Sequence, residues 1–236
     1  GIEAVPGGAL FTPVIGQDAI LRGDGIDGKG KCQMKLEDAK DDKGEIINTS
    51  KIKYQISKTD EFSNDDTFTV TAESDTYQLT EKSKVYTVSG LDEYLKNVDE
   101  LSQDNIDLFV SEALAKQPDV TDSSDGATFN SVTAKKLIVM SADQTSTVYV
   151  ISEINYTLQD GTKVSYYLST YFKNVVLRKN SSGEYSVAHG ESMYTGDMIH
   201  LVGSRFFIGY ASQEAAESAA RTNQTRDADY SAMDIK

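Results

Sequence analysis

The feature that most constrains this chain is a change in the period of its hydrophobic pattern near residue 90. Before that point apolar residues alternate. Cys32, Met34 and Leu36 share one face, as do Ile52, Tyr54 and Ile56, and then Phe68, Val70 and Ala72, with Val85 to Val88 closing the set before Ser89-Gly90. After it comes a helical stripe of Ile106, Phe109, Val110, Ala113 and Leu114. Alternation then returns over Val132 to Met140, Val148 to Leu158 and Val164 to Leu177. A period of two is that of a pleated strand and a period of 3.6 that of a helix. The 236 residues are enough for two ordinary cores. The expected division is 1–91 and 92–236, with no flexible linker and therefore a fixed relative orientation.

The first domain is read as a small immunoglobulin-like β-sandwich. An extended lead-in (residues 1–17) precedes Ala19-Ile20-Leu21, the glycine-rich loop 23–30, the turn Asp41-Asp42-Lys43-Gly44, and five or six short strands without a helix. In the second domain Asp92 is expected to cap a short turn through Tyr94, Leu95 and Val98. Ser102 caps a longer helix that Pro118 ends, and Asp104, Asp107 and Glu112 lie off its apolar stripe. An acidic, Ser-rich loop runs from Asp119 to Asp125. Asp160-Gly161 is a hairpin signal. Asn180-Ser181-Ser182-Gly183 turns into Tyr185–Val187, Ile199 to Ile208 reads as one further strand, Ser212 opens a small-residue helix, and a polar tail ends the chain. This order predicts an α+β domain with one helix lying on a curved antiparallel sheet. By topology it is similar to cystatin-like or NTF2-like rolls.

The net charge of -14 opposes nucleic-acid binding, which relies on Lys and Arg displacing phosphate counterions. It equally opposes docking on anionic lipid. Between residues 92 and 130 ten acids stand against two lysines. That run reads as a solvated helix face, with a cation-binding or partner-facing surface as the other reading. Cys32 is the sole cysteine, so no internal disulfide forms. No apolar run reaches the roughly 18–20 residues of a membrane span. The start Gly1-Ile2-Glu3, without Met, reads as trimmed, with any anchor expected upstream.

Catalytic and metal motifs are not found. His189 and His200 are the only histidines and, with one cysteine, offer no zinc spacing. No cofactor is expected. The glycines of loop 23–30 lead into a strand rather than a helix, unlike a phosphate cradle, and fit positive-φ turns or bulges better. Asp24 and Asp27, or Asp122 and Asp125, could hold calcium only weakly, since neither stretch has EF-hand spacing. Ser192 misses the nucleophile-elbow pattern, because Tyr194 stands where glycine is needed. Ser50-Lys51-Ile52-Lys53 matches S-x-x-K but precedes a strand. No pair of acids stands out for glycoside hydrolysis. The best candidates for ligand contact are aromatic: Tyr149, Tyr167 and Tyr171 on a sheet face, and Tyr94 by the domain junction. The alternative is that these tyrosines only pair across strands.

Several short patterns bring a family into view. They are Gly25-Ile26-Asp27-Gly28-Lys29-Gly30, Ile52-Lys53-Tyr54, Phe62-Ser63-Asn64-Asp65-Asp66 and the run Lys84 to Leu91. Tyr166-Tyr167, Phe172-Lys173-Asn174-Val175 and Gly209-Tyr210-Ala211-Ser212 follow. In that order the chain resembles the ectodomains of membrane-anchored zinc-ribbon proteins of Gram-positive bacteria. It departs from them at Ile26, where an aromatic is usual, and at Asp65, where the turn carries glycine. The resemblance implies a membrane-anchored protein facing outward at the cell surface, with a zinc ribbon and a membrane helix before this segment. It implies no established activity and no catalytic residue. The expected function is an extracellular binding or sensing module at the cell envelope, for a wall polymer, a peptide or a protein partner. A wall-directed hydrolase, with His189 or His200 beside a serine or acid in a cleft of the second domain, is the alternative from another class. A structural spacer is the third.

Overall fold

The computed structural model describes residues 11–15, 26–36, 48–77, 79, 82–116, 127–179, 183–202, 205–223 and 227–235, with only the backbone of 11–15, 32–36, 49, 202 and 205. The lead-in outside 11–15, Ala19–Leu21, the Asp41–Gly44 turn, Asp24, Pro118, the acidic loop with Asp122 and Asp125, and Asn180–Ser182 lie outside them. So do the side chains of Cys32, Met34 and Leu36. Chain contacts divide the molecule into two units, Gly1–Glu93 and Tyr94–Lys236.

In the first unit, β1 (Phe11–Ile15) and β2 (Cys32–Leu36) form an antiparallel pair in which Phe11 faces Leu36 and Ile15 faces Cys32. A separate antiparallel meander joins β3 (Lys53–Ile56), β4 (Thr67–Glu73) and β5 (Ser83–Thr87), with β4 in the centre. Along β4 the alternate residues Phe68, Val70 and Ala72 are buried, as the period of two dictates. The cover over them comes from Ile52, Phe62, Leu79, Val88 and Leu91. The Phe62 and Phe68 rings lie 5.2 Å apart and the Phe68 and Tyr86 rings 5.4 Å.

Those covering residues lie outside the strands, so the expected immunoglobulin-like sandwich does not form. Two open sheets of two and three strands are present among the described residues, and neither closes on the other. Alternation reveals which side chains share a face; it does not reveal whether a sheet or a set of loops covers that face. One of the covering loops is pinned by Asn64, whose side chain donates to Leu91 O at 3.1 Å and accepts from Leu91 N at 3.0 Å. Asp65 sits beside it at φ 69°, a left-handed position that Asp tolerates better than most residues. Gly28, also at positive φ (81°), fits the turn role expected of the loop glycines.

The second unit begins within β6 (Glu93–Tyr94). The expected cap at Asp92 is absent, for Asp92 is buried and its carbonyl accepts from Asp27 N. Asn97 caps the short 3-10 turn Val98–Glu100 instead, in a reciprocal box with Glu100. Helix α1 (Gln103–Ala115) starts at Ser102, whose hydroxyl accepts from Asn105 N. It buries Ile106, Phe109 and Ala113, while Asp104 and Asp107 stay exposed.

Next come β7 (Thr128–Ala142), β8 (Thr145–Thr157), β9 (Lys163–Lys173), β10 (Val176–Lys179), β11 (Tyr185–Ala188), β12 (Ser192–Thr195), β13 (Asp197–Val202) and β14 (Arg205–Gly209). Helix α2 (Gln213–Thr222) and β15 (Asp229–Asp234) complete the unit. Five strands make one antiparallel sheet in the order β12-β9-β8-β7-β15; β11-β10-β6 and β13-β14 form two smaller sheets. The run Val164 to Leu177 is broken at Asn174, which adopts φ 54° between β9 and β10.

Helix α1 lies on one face of the five-stranded sheet, with Ile106, Phe109 and Ala113 against Leu137, Val139, Val148, Val150 and Phe172. Helix α2 lies on the other, with Ala216 and Ala220 against Ile138, Met140, Tyr149 and Ile151. Consequently β8 is buried without a break from Ser146 to Ser152. The expected cystatin-like or NTF2-like roll, one helix gripped by a curved sheet, is thus not what this chain builds. Its sheet is open, and the small-residue helix after Ser212 supplies a second cover, giving a three-layer arrangement. The polar tail contains a strand, β15, whose Tyr230 and Ala232 face α2 while Met233 faces α1.

Candidate binding surface

Three of the four candidate tyrosines share one sheet face, the face under α2. Tyr149 is 3% exposed and packs edge-on to its cross-strand neighbour Tyr171 with ring centroids 6.4 Å apart. Lys173 Nζ sits 5.0 Å above the Tyr171 ring. Tyr167 lies further along the strand, half-buried, and its hydroxyl donates to Glu153 Oε1 at 3.3 Å. Glu153 also meets Lys135 Nζ at 2.9 Å, and that bond holds its carboxyl below the usual range. Burial, followed by the nearby Glu153 charge, pushes the Tyr167 phenol up. Tyr94 is half-buried in the separate β11-β10-β6 sheet and does not join them. Tyr149 and Tyr171 are thus taken up in packing, and the Tyr167 hydroxyl in a polar pair.

The surface that is open lies on β13 and β14. The sequence reads Ile199 to Ile208 as one strand, but the chain folds back on itself there. Met198 is paired with Ile208, Ile199 with Phe207, and His200 with Phe206. Antiparallel partners share a face and neighbours alternate, so the ribbon has two unlike sides. Ile199, Leu201 and Phe207 pack onto Ile154, Tyr156, Tyr166 and Leu168 of the main sheet. The Phe207 ring is 5.1 Å from that of Tyr166 and 6.3 Å from that of Tyr156. On the other side Met198 is 75% exposed, Phe206 65% and Ile208 51%, with the His200 ring 5.3 Å from Phe206. Two glycines fix the base of the ribbon. A Cβ on Gly196 would sit 2.5 Å from Gly209 Cα, and one on Gly209 would sit 2.6 Å from Tyr167 O. The sequence signal for this hairpin is the dipeptide Gly203-Ser204 between two alternating runs, a common hairpin connection.

His189 presents Nε2 to Glu112 Oε2 at 3.1 Å and Nδ1 to Gly190 O at 3.0 Å, and its ring packs 4.9 Å from Phe172 and 6.1 Å from Phe109. Both ring nitrogens therefore face acceptors. The contact ties the end of α1 to the β11–β12 connection. Ser50 belongs to a 3-10 turn and its hydroxyl donates to Asn48 Oδ1 at 2.6 Å. It lines an open polar cavity of about 240 Å³ with Lys51, Lys53, Glu73, Ser74 and Asp75.

No family model, curated protein or solved structure matches the chain. The resemblance to zinc-ribbon ectodomains is corrected accordingly. Its short patterns find no support over the length of the chain, and the described residues hold no group of three or more His, Cys, Asp or Glu able to bind a metal. The membrane-anchored description rested on that resemblance and is withdrawn with it. Among the described residues no helix is long and apolar enough to cross a membrane.

Proposed function

We propose that this chain is a binding module of the outer face of the cell envelope, and that it engages its partner through the open face of the β13–β14 hairpin. The observation that carries this reading is the side-by-side exposure of Met198, Phe206 and Ile208 on a ribbon whose opposite face is packed. Burying one large apolar side chain is worth about 1.5–3 kcal/mol, so three left together in water make a surface that gains from being covered. Isolated exposed apolar residues need no such account; a contiguous set on one ribbon does. The charge of -14 argues against nucleic acid as the partner.

The test is co-sedimentation of the labelled chain with intact envelopes of the source cells. The comparison is a variant carrying Met198→Thr, Phe206→Thr and Ile208→Thr, which keeps strand-forming residues while removing the apolar face. The variant should bind at least about tenfold more weakly with an unchanged circular dichroism spectrum. Equal sedimentation of the two proteins would rule the surface out.

A further inference from the structure

In the first unit, the cavity beside Ser50 brings two lysines and two carboxylates to one rim. We propose that it binds a small zwitterion of the amino-acid or dipeptide class, with Lys51 and Lys53 taking the carboxylate and Glu73 and Asp75 the ammonium. Lys53 and Glu73 are opposite each other on β3 and β4, so their side chains rise from the same side of the sheet. That side is turned away from the core, which the next pair along, Tyr54 and Ala72, faces. Elsewhere in the chain lysines close on neighbouring carboxylates, as Lys58 does on Asp66 and Lys173 on Glu191. Here they do not. Among the described residues none of the four charged side chains at the rim has an ion pair or a hydrogen bond.

The wall beneath these charges is fixed. Ser74 Oγ donates to Lys51 O at 2.8 Å and accepts from Thr76 N and Tyr77 N at 3.2 and 3.0 Å. The Tyr77 hydroxyl accepts from Asn48 N at 3.2 Å, and Asn48 Oδ1 accepts from Ser50 N at 3.1 Å. The two segments that bound the cavity are thus tied together without using any of the four charged heads. Charge then selects the ligand. A simple anion gains from the lysines but is repelled by the carboxylates on the same rim, and a simple cation meets the reverse. A molecule carrying both signs gains on both sides. Size limits it too, since about 240 Å³ is below the roughly 300–1,000 Å³ of sites for drug-sized ligands. All four charged residues are exposed, and exposed ion pairs are individually weak, so the affinity is on the order of millimolar.

The probe is diglycine, titrated into isotope-labelled protein and followed by amide chemical shifts. It is compared with N-acetyl-diglycine, which lacks the ammonium, with diglycinamide, which lacks the carboxylate, and with uncharged glucose. Shifts should saturate at residues 50–53 and 73–76, and each analogue should bind about three- to fivefold more weakly than diglycine. Lys51→Gln with Lys53→Gln should remove the advantage of diglycine over diglycinamide. Glu73→Gln with Asp75→Asn should remove its advantage over N-acetyl-diglycine. Shifts that fail to saturate by about 50 mM, or that gather away from these residues, would overturn the assignment. Equal binding of the three peptides, or glucose binding as tightly as diglycine, would overturn it as well.

Discussion

Lys136 Nζ of β7 lies 2.7 Å from Glu217 Oε1 of α2, with both side chains mostly buried at 20% and 16% exposure. Gln213 Nε2, one turn earlier in the same helix, donates to the same oxygen at 3.0 Å, so the carboxylate is held from within α2 while Lys136 ties it to the sheet. This bond fixes the layer that covers Tyr149 and Tyr171.

Burial alone would raise the Glu217 pKa, but the hydrogen bonds from Lys136 and Gln213 outweigh it and the pKa is lowered. The carboxyl of Glu153 is lowered as well, chiefly by Lys135. A group with a depressed folded pKa adds stability above its unfolded value, about 4.3 for Glu, and that stability is lost as pH falls through the folded pKa. Urea unfolding followed from pH 6 to pH 3 should therefore show stability declining below about pH 4.5. Glu217→Gln should lower stability at pH 6 and flatten the decline. An unchanged slope in the variant would contradict the assignment.

Gly209 should accept no side chain. Its Cβ would lie 2.6 Å from Tyr167 O and 2.7 Å from Tyr166 Cδ2, one of these being backbone that cannot swing aside. Gly209→Ala should destabilise the protein by about 1–3 kcal/mol and displace the hairpin. Chemical-shift changes should then gather at Tyr166, Tyr167 and Tyr210. A variant with an unaltered melting temperature would show that the base of the ribbon yields easily.

Phe206 and Phe207 are adjacent but should behave oppositely. Phe207 packs on Tyr166 and Tyr156, so Phe207→Ala should lower stability by about 2–4 kcal/mol. Phe206 faces water, and Phe206→Ala should change it by no more than about 0.5 kcal/mol. Equal losses in denaturant titrations would mean that the ribbon's two faces are misassigned.

Thr170 is wholly buried, and among the described residues its hydroxyl has no hydrogen-bond partner. An unpaired buried hydroxyl is destabilising relative to a methyl group of the same shape. Thr170→Val should be neutral or raise stability by about 1 kcal/mol. A clear loss would point to a bound water at that hydroxyl.

Much of the secondary structure was readable because the physics behind it is local. Ser102 capping α1, the stripe Ile106, Phe109 and Ala113, and the hairpin at Asp160-Gly161 follow from spacing and turn chemistry. Where the reading failed, tertiary cover was decisive. Phe62, Leu79 and Leu91 close the first core from loops, and nothing in an alternating strand indicates what will lie on its inner face. The second helix was legible at Ser212 but its destination was not, and that destination turns a one-sided sheet into a two-sided one. The tyrosines illustrate the same limit. Their shared face was evident from period two, yet Tyr149 is covered and Tyr94 belongs to another sheet. The candidate surface escaped because Ile199 to Ile208 alternates throughout, so a folded ribbon looks like one long strand unless Gly203-Ser204 is given weight.

The meeting of Gly196 and Gly209 has an implication for how this molecule could diversify. Where two main chains touch with nothing between them, ordinary substitution can neither shim nor slacken the joint. The ribbon beyond carries its outward residues on an independent surface. Its recognition side could therefore be rewritten, or grafted from elsewhere, without disturbing the sheet that bears it, so long as both glycines stay in place.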